Sequence, residues 1–192
     1  AVIQAVATAI DEELEPEEIA EIAAGIEPTD GIFYPGIVQM NYMTGELIKS
    51  YGNAPKMIIA MFDMGGSINT VEFHSEYHGH EDSPKELLEA IDKLDVDFSP
   101  RQIAHVATLS ALANQKLVPK PHLEEIIKYS ATLGALGVNV AHSGTMVGVL
   151  FAPDESMKHV MEAVEKIREK FPALEYFETE RLISGGYDIE QR

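Results

Sequence analysis

Gly137-Val138-Asn139-Val140-Ala141-His142-Ser143-Gly144-Thr145-Met146-Val147-Gly148 runs straight into the apolar Val149-Leu150-Phe151-Ala152. The pattern predicts a helix that ends at Gly137, a short Ser/Gly/Thr loop over 142–148, and a strand beyond it. Loops of this composition bare consecutive backbone N–H groups, and such a nest holds anions. A plain turn that uses Gly for positive φ accounts for the same residues at least as well.

The surroundings of that loop are acidic. The chain has 192 residues, 32 of them acidic and 14 basic, for a formal net charge of −18. Nucleic acid and anionic membrane surfaces both need clustered Lys and Arg, so neither fits as a partner. A phosphate held here must be held by local dipoles and a metal ion against the overall field. The apolar share of 45% is that of an ordinary globular core. The length suits one substantial domain, or a domain plus a fragment. The absence of Cys excludes a disulfide scaffold, a thiol nucleophile and a zinc–thiolate site. No apolar run reaches membrane-spanning length. Ala1-Val2-Ile3-Gln4-Ala5-Val6-Ala7 has neither a basic leader nor an initiator Met. It reads as the interior of a helix, so the chain is expected to be the C-terminal part of something longer, with the cytoplasm as its compartment.

Outward from the loop, an Ala-rich helix is expected over 2–13. Pro16 opens a second, with Glu15, Glu17 and Glu18 at its positive end and Ile19, Ile22, Ala23 and Ile26 on one face. Residues 32–42 and 46–51 flank Thr44-Gly45 as a hairpin. Lys56–Phe62 is a strongly apolar strand that ends at Asp63-Met64-Gly65-Gly66. Ser67–Phe73 is a loop or a short strand. Ser83-Pro84, Ser99-Pro100, Lys120-Pro121 and Pro153-Asp154 each begin a helix, and 174–183 is a final strand. The order predicts an α+β fold, with helices packed on a mostly antiparallel sheet.

Three further groups carry chemistry. Asp30, in Glu27-Pro28-Thr29-Asp30-Gly31, is placed to accept a proton from an alcohol or to hold a cation, or it simply bonds its own turn. Asp63-Met64-Gly65-Gly66 is a binding turn or merely a tight one. His74, His78 and His80 lie among Glu72, Glu76, Glu81 and Asp82. That spacing suits a metal, but Gly79 and the polar setting favour a solvated connection, and no metal is assigned. His105, His122 and His159 sit alone on helical patterns, and His142 adjoins the loop. The eight Met residues follow apolar faces as core filler. The acidic run from Asp11 to Glu18 is a solvated face.

Taken together, the Ala141–Gly148 loop and the upstream Pro28-Thr29-Asp30-Gly31 segment resemble the GHMP kinases, small-molecule kinases of galactose, homoserine and mevalonate. Glu27-Pro28-Thr29-Asp30-Gly31-Ile32-Phe33-Tyr34-Pro35-Gly36 and Asp63-Met64-Gly65-Gly66…Asn69-Thr70-Val71 are most similar to the branch that phosphorylates L-threonine for cobalamin biosynthesis. The likeness runs to Ile183-Ser184-Gly185-Gly186. It implies a ferredoxin-like C-terminal domain over 27–192, with helices on one face of the sheet. Residues 1–26 would be a helical remnant of the N-terminal, nucleotide-binding domain. It implies ATP and Mg2+ as cofactors and Asp30 as catalytic base. Glu27, Thr29, Asp63, Gly65 and Gly66 would bind substrate, and Ser143, Gly144 and Thr145 would hold phosphate. Asp30 and the Ser143 loop would then face one reaction centre.

The sequence also departs from the family. The Pro-x-x-x-Gly-x-x-Ser-Ser-type loop that wraps ATP does not occur, and Met146 and Val147 stand where Gly or Ala is usual. The chain alone is therefore expected to be inactive. The ATP loop would come from a missing N-terminal segment or a companion chain. A kinase of another alcohol (homoserine or a mevalonate-like acid) and a non-catalytic ligand-binding or regulatory module stay open as alternatives. So does oligomeric state, a homodimer included.

Overall fold

The structure is a computed structural model and describes residues 2–66, 84–94, 98–115, 118–141 and 144–185. It divides into two compact units, Ala1–Ala54 with Ile183–Arg192, and Pro55–Leu182.

The first unit carries α1 (Val2–Ala9), α2 (Pro16–Ile26), β1 (Ile37–Met40) and β2 (Leu47–Gly52). Pro16 stands at the first turn of α2, and the Glu15 N–H donates to Glu18 Oε2 at 2.9 Å, which closes the helix start. Ile19 and Ala20 of α2 bury against Phe33 and Tyr34, with Val38 and Leu47 of the hairpin packed alongside. Gly45 adopts φ +79°, and a β-carbon there would sit 2.5 Å from the Ala20 carbonyl oxygen, so both conformation and close approach demand glycine. The helices of 1–26 thus share a unit and a core with the hairpin, and the compact units do not part at 26/27.

The second unit carries β3 (Ile58–Asp63), α3 (Lys85–Asp92), α4 (Pro100–Asn114), α5 (Leu123–Thr132), β4 (Gly137–Val140), β5 (Met146–Phe151), α6 (Met157–Lys170) and β6 (Glu175–Arg181). Its four strands lie in the order β4-β5-β3-β6, every pairing antiparallel. Two helical crossovers and that order make the ferredoxin-like split β-α-β arrangement.

Alternation decides which face is which. Ile58, Ala60 and Phe62 of β3 are fully buried, while Ile59, Met61 and Asp63 between them are half-exposed. On the buried face, Val147, Val149 and Phe151 meet Leu123 and Ile126 of α5. Val160, Ala163, Val164 and Ile167 of α6 complete that core at helical spacing. Each fully buried Val, Leu, Ile or Phe side chain among them contributes about 1.5–3 kcal/mol. α4 begins at Ser99, whose Oγ accepts from the Gln102 N–H, and runs along β4, an outer strand of the sheet among the described residues. There Thr108 Oγ1 accepts the Val138 N–H at 2.9 Å and donates to the Ala104 carbonyl at 2.7 Å, so the helix satisfies a sheet edge.

Several expected bounds shift. The first helix, expected over 2–13, ends at Ala9, and the one expected from Pro84 starts at Lys85. The helix expected from Pro153-Asp154 starts at Met157, because the Ser156 Oγ caps it by accepting the His159 N–H at 3.1 Å. The helix before the Ser/Gly/Thr loop ends at Thr132, and 137–140 is a strand, with Val138 buried and Asn139 exposed. The helix expected from Pro121 starts at Leu123, because His122 takes a left-handed conformation (φ 59°) as its cap.

Candidate functional site

The Ser/Gly/Thr loop is a β-hairpin turn. The Ala141 N–H donates to the Met146 carbonyl at 3.0 Å, which leaves 142–145 as the connection between β4 and β5. Met146, Val147 and Gly148, expected in the loop, are strand residues opposite Asp63, Phe62 and Met61. Gly148 is a packing glycine, since a β-carbon there would overlap Asn139 Oδ1 and lie 3.0 Å from Ile59 Cγ2. His142 and Ser143 lie outside the described residues, as does the His74/His78/His80 group.

β3 ends beside this hairpin and brings two separately read segments together. The Met64 N–H donates to the Thr145 carbonyl at 3.1 Å. Asp63 Oδ1 accepts the Gly65 N–H at 2.9 Å. The Thr145 hydroxyl foremost, and the Gly65 N–H after it, hold Asp63 below the usual carboxylate range. Gly65 and Gly66 follow with φ +72° and +86° and open space where a side chain would stand. Glycine is needed there for backbone conformation, not for packing. Gly144 is tighter, because a β-carbon would lie 3.0 Å from Ala141 Cβ. Glu175 of β6 stands in register with Asp63 on its other side.

Asp30, Glu27 and Thr29 belong to the first unit. The Glu27 N–H closes α2 by donating to the Ala23 carbonyl at 3.0 Å, and the Thr29 N–H donates to the Tyr42 carbonyl at 3.0 Å. That pins the turn to the hairpin and leaves the Asp30 carboxylate exposed. Gly31 admits Val38, whose Cγ2 would lie 2.7 Å from an added β-carbon.

The meeting of the Asp63 turn with the Thr145 turn was not legible from either segment. Its signal is non-local, because only the pairing of β3 with β5 sets Asp63 opposite Met146. Among the described residues no group of three His, Asp or Glu could hold a metal ion. Among them, too, no helix is long and apolar enough to cross a membrane.

Residues 87–170, from α3 through α6, match the family described as GHMP kinases C terminal. That segment, less than half of the chain, is similar to the C-terminal domain of GHMP kinases. The GHMP likeness extends beyond it. The L-threonine kinase of Citrobacter freundii is 22% identical over 186 residues, which takes in 93% of this chain and 64% of that protein. The chain therefore spans just under two thirds of that relative's length. The mevalonate kinase of Methanococcus jannaschii shares the fold with a TM-score of 0.61 at 20% identity, over 94% of this chain and 61% of its own. The homoserine kinase of Cytophaga hutchinsonii does so with a TM-score of 0.54 at 13% identity, over 93% and 60%. The GHMP fold expected from the sequence is thus the fold observed, with α5 and α6 on one face of an antiparallel sheet.

Proposed function

We propose that this chain is the substrate-side part of an ATP-dependent small-molecule kinase that phosphorylates the hydroxyl of L-threonine, a step in cobalamin biosynthesis. The observation that carries the reading is the likeness to an L-threonine kinase over 93% of the chain, far beyond the segment 87–170. The ATP-wrapping loop comes from polypeptide outside these 192 residues, an N-terminal segment or a companion chain.

In-line phosphoryl transfer asks for positioning and charge neutralisation more than for covalent chemistry. Asp30, exposed on a pinned turn, accepts the hydroxyl proton. Glu27 and Thr29 on the same turn, with Asp63, Gly65 and Gly66, orient the amino acid. The hairpin carrying Ser143, Gly144 and Thr145 steadies the transferred phosphate. Mg2+ fits a site without a resident cage, since it is commonly held by one or two carboxylates plus the substrate's own phosphates. When bound, ATP supplies the phosphoryl group and Mg2+ offsets its charge, which the chain's net −18 makes necessary.

The test is ATP-dependent phosphorylation of L-threonine, homoserine and mevalonate by the protein together with its ATP loop. Threonine is expected to give the highest kcat/KM. Preference for an alcohol without an amine would remove the threonine assignment.

A further inference from the structure

A cavity of about 130 Å³ lies within the second unit, between α4, α5 and the start of β4. The turns at Asp63 and Thr145 contribute nothing to its wall. Ser130 of α5 does. It is 1% exposed, and its Oγ has no hydrogen-bond partner. Its carbonyl, by contrast, is taken twice, by the Leu133 and Ala135 N–H groups. Buried hydroxyls are as a rule hydrogen-bonded, and one left alone costs stability. A serine hydroxyl swings between staggered positions about a single bond, so a polar group seated in the cavity comes within its reach.

The rest of the wall narrows what that group is. Ile127, Ala131 and Leu136 offer carbon. A water molecule would meet Ser130 but gain nothing from that surface. Thr108 Oγ1 gives its proton to the Ala104 carbonyl and accepts the Val138 N–H, which leaves it one lone pair. Ser130 can donate or accept. A ligand hydroxyl does both and suits the two residues, whereas a carboxylate only accepts and leaves Thr108 unmet. Among the described residues no Lys, Arg, Asp or Glu lines the cavity, so an ion or a zwitterion would lie there without a counter-charge. Cavities of roughly this size hold about six non-hydrogen atoms. His105 lines the wall and is exposed, which gives a ligand its way in.

We propose that this cavity is a binding site for a small neutral alcohol, with the ligand hydroxyl bonded to Ser130 and its carbon body against Ile127, Ala131 and Leu136. The site is separate from the kinase site proposed above and does not depend on it.

The experiment titrates isobutanol into the full chain and follows the backbone amides by NMR. Isobutyrate, with the same branched carbon body and a carboxylate in place of the alcohol, is the control. Isobutanol is expected to give saturable shifts centred on Ser130, Ala131 and Gly137, and isobutyrate none. Ser130→Ala should bind isobutanol about 3- to 10-fold more weakly, the worth of one hydrogen bond. The same variant without ligand should melt no lower than the wild type, because the hydroxyl it removes is unbonded. Shifts that grow without saturating, isobutyrate binding as well as isobutanol, unchanged affinity in Ser130→Ala, or a lower melting temperature of that variant would each overturn the site. All four leave the kinase reading intact.

Discussion

Thr108→Val removes one oxygen and keeps the shape of the side chain, and the structure indicates what that costs. Thr108 Oγ1 accepts the N–H of Val138, whose residue is fully buried on the outer edge of β4. Among the described residues no strand lies beyond β4 to take over, because the sheet order begins there. Gly137 brings α4 so close that a β-carbon would lie 2.6 Å from the same Oγ1. The donation to the Ala104 carbonyl is a smaller loss, because a helix carbonyl is already engaged by its own ladder. One buried donor left unsatisfied costs about 1–3 kcal/mol. For a chain of this length that lowers Tm by roughly 2–12 °C. Urea denaturation should show a lower midpoint at unchanged m-value. Thr108→Ser, which keeps the oxygen and loses a methyl group, should cost only about 0.8 kcal/mol. Amide exchange at Val138 should accelerate in the Val variant and not in the Ser variant. A Val variant as stable as the Ser variant, with Val138 still protected, would refute the edge-closure argument.

Three other outcomes follow from the same geometry. Asp30→Asn should lower turnover in the proposed kinase reaction by about 100-fold or more, while stability stays within about 0.5 kcal/mol because the carboxylate is exposed. Steady-state kinetics and a thermal melt check it, and a large loss of stability with unchanged turnover would make Asp30 a turn residue only. Asp63 lies below its ordinary pKa of 3.8 in the folded protein. Its contribution is present above that pH and is lost as pH falls through the lower folded value. The stability gap between wild type and Asp63→Asn in urea should therefore be flat from neutral pH down to about 5 and shrink only in stronger acid. Lys120 is buried, its Nζ has no partner among the described residues, and desolvation holds its pKa below 10.5. The unfolded chain then binds more protons, so stability should rise as pH climbs toward 10.5, and Lys120→Met should flatten that rise.

Elements with strong local signatures were legible in the sequence. Pro16, the Ser99-Pro100 start and the Thr44-Gly45 turn each carry a backbone preference that packing had no reason to override. The strand at 137–140 was not. It has four residues, two of them Val, and its Gly and Asn spoke for a helix end and a loop. Only the pairing with β5, a contact between segments, makes it a strand. The site followed the same rule. Asp63, Gly65, Gly144 and Thr145 stood out as residue types in turns, but their convergence depends on β3 lying next to β5. The glycines divided in a way composition could not foresee. Gly65 and Gly66 serve positive φ, whereas Gly137 and Gly148 serve close approach of neighbouring side chains and backbone.

The most direct measurement of the central claim is transfer of an isotopically labelled γ-phosphate from ATP to L-threonine, read as the mass of the product. Labelled O-phospho-L-threonine formed in step with ADP is the predicted result. ADP released with no phosphorylated amino acid, or no turnover once the ATP loop is supplied, would contradict it.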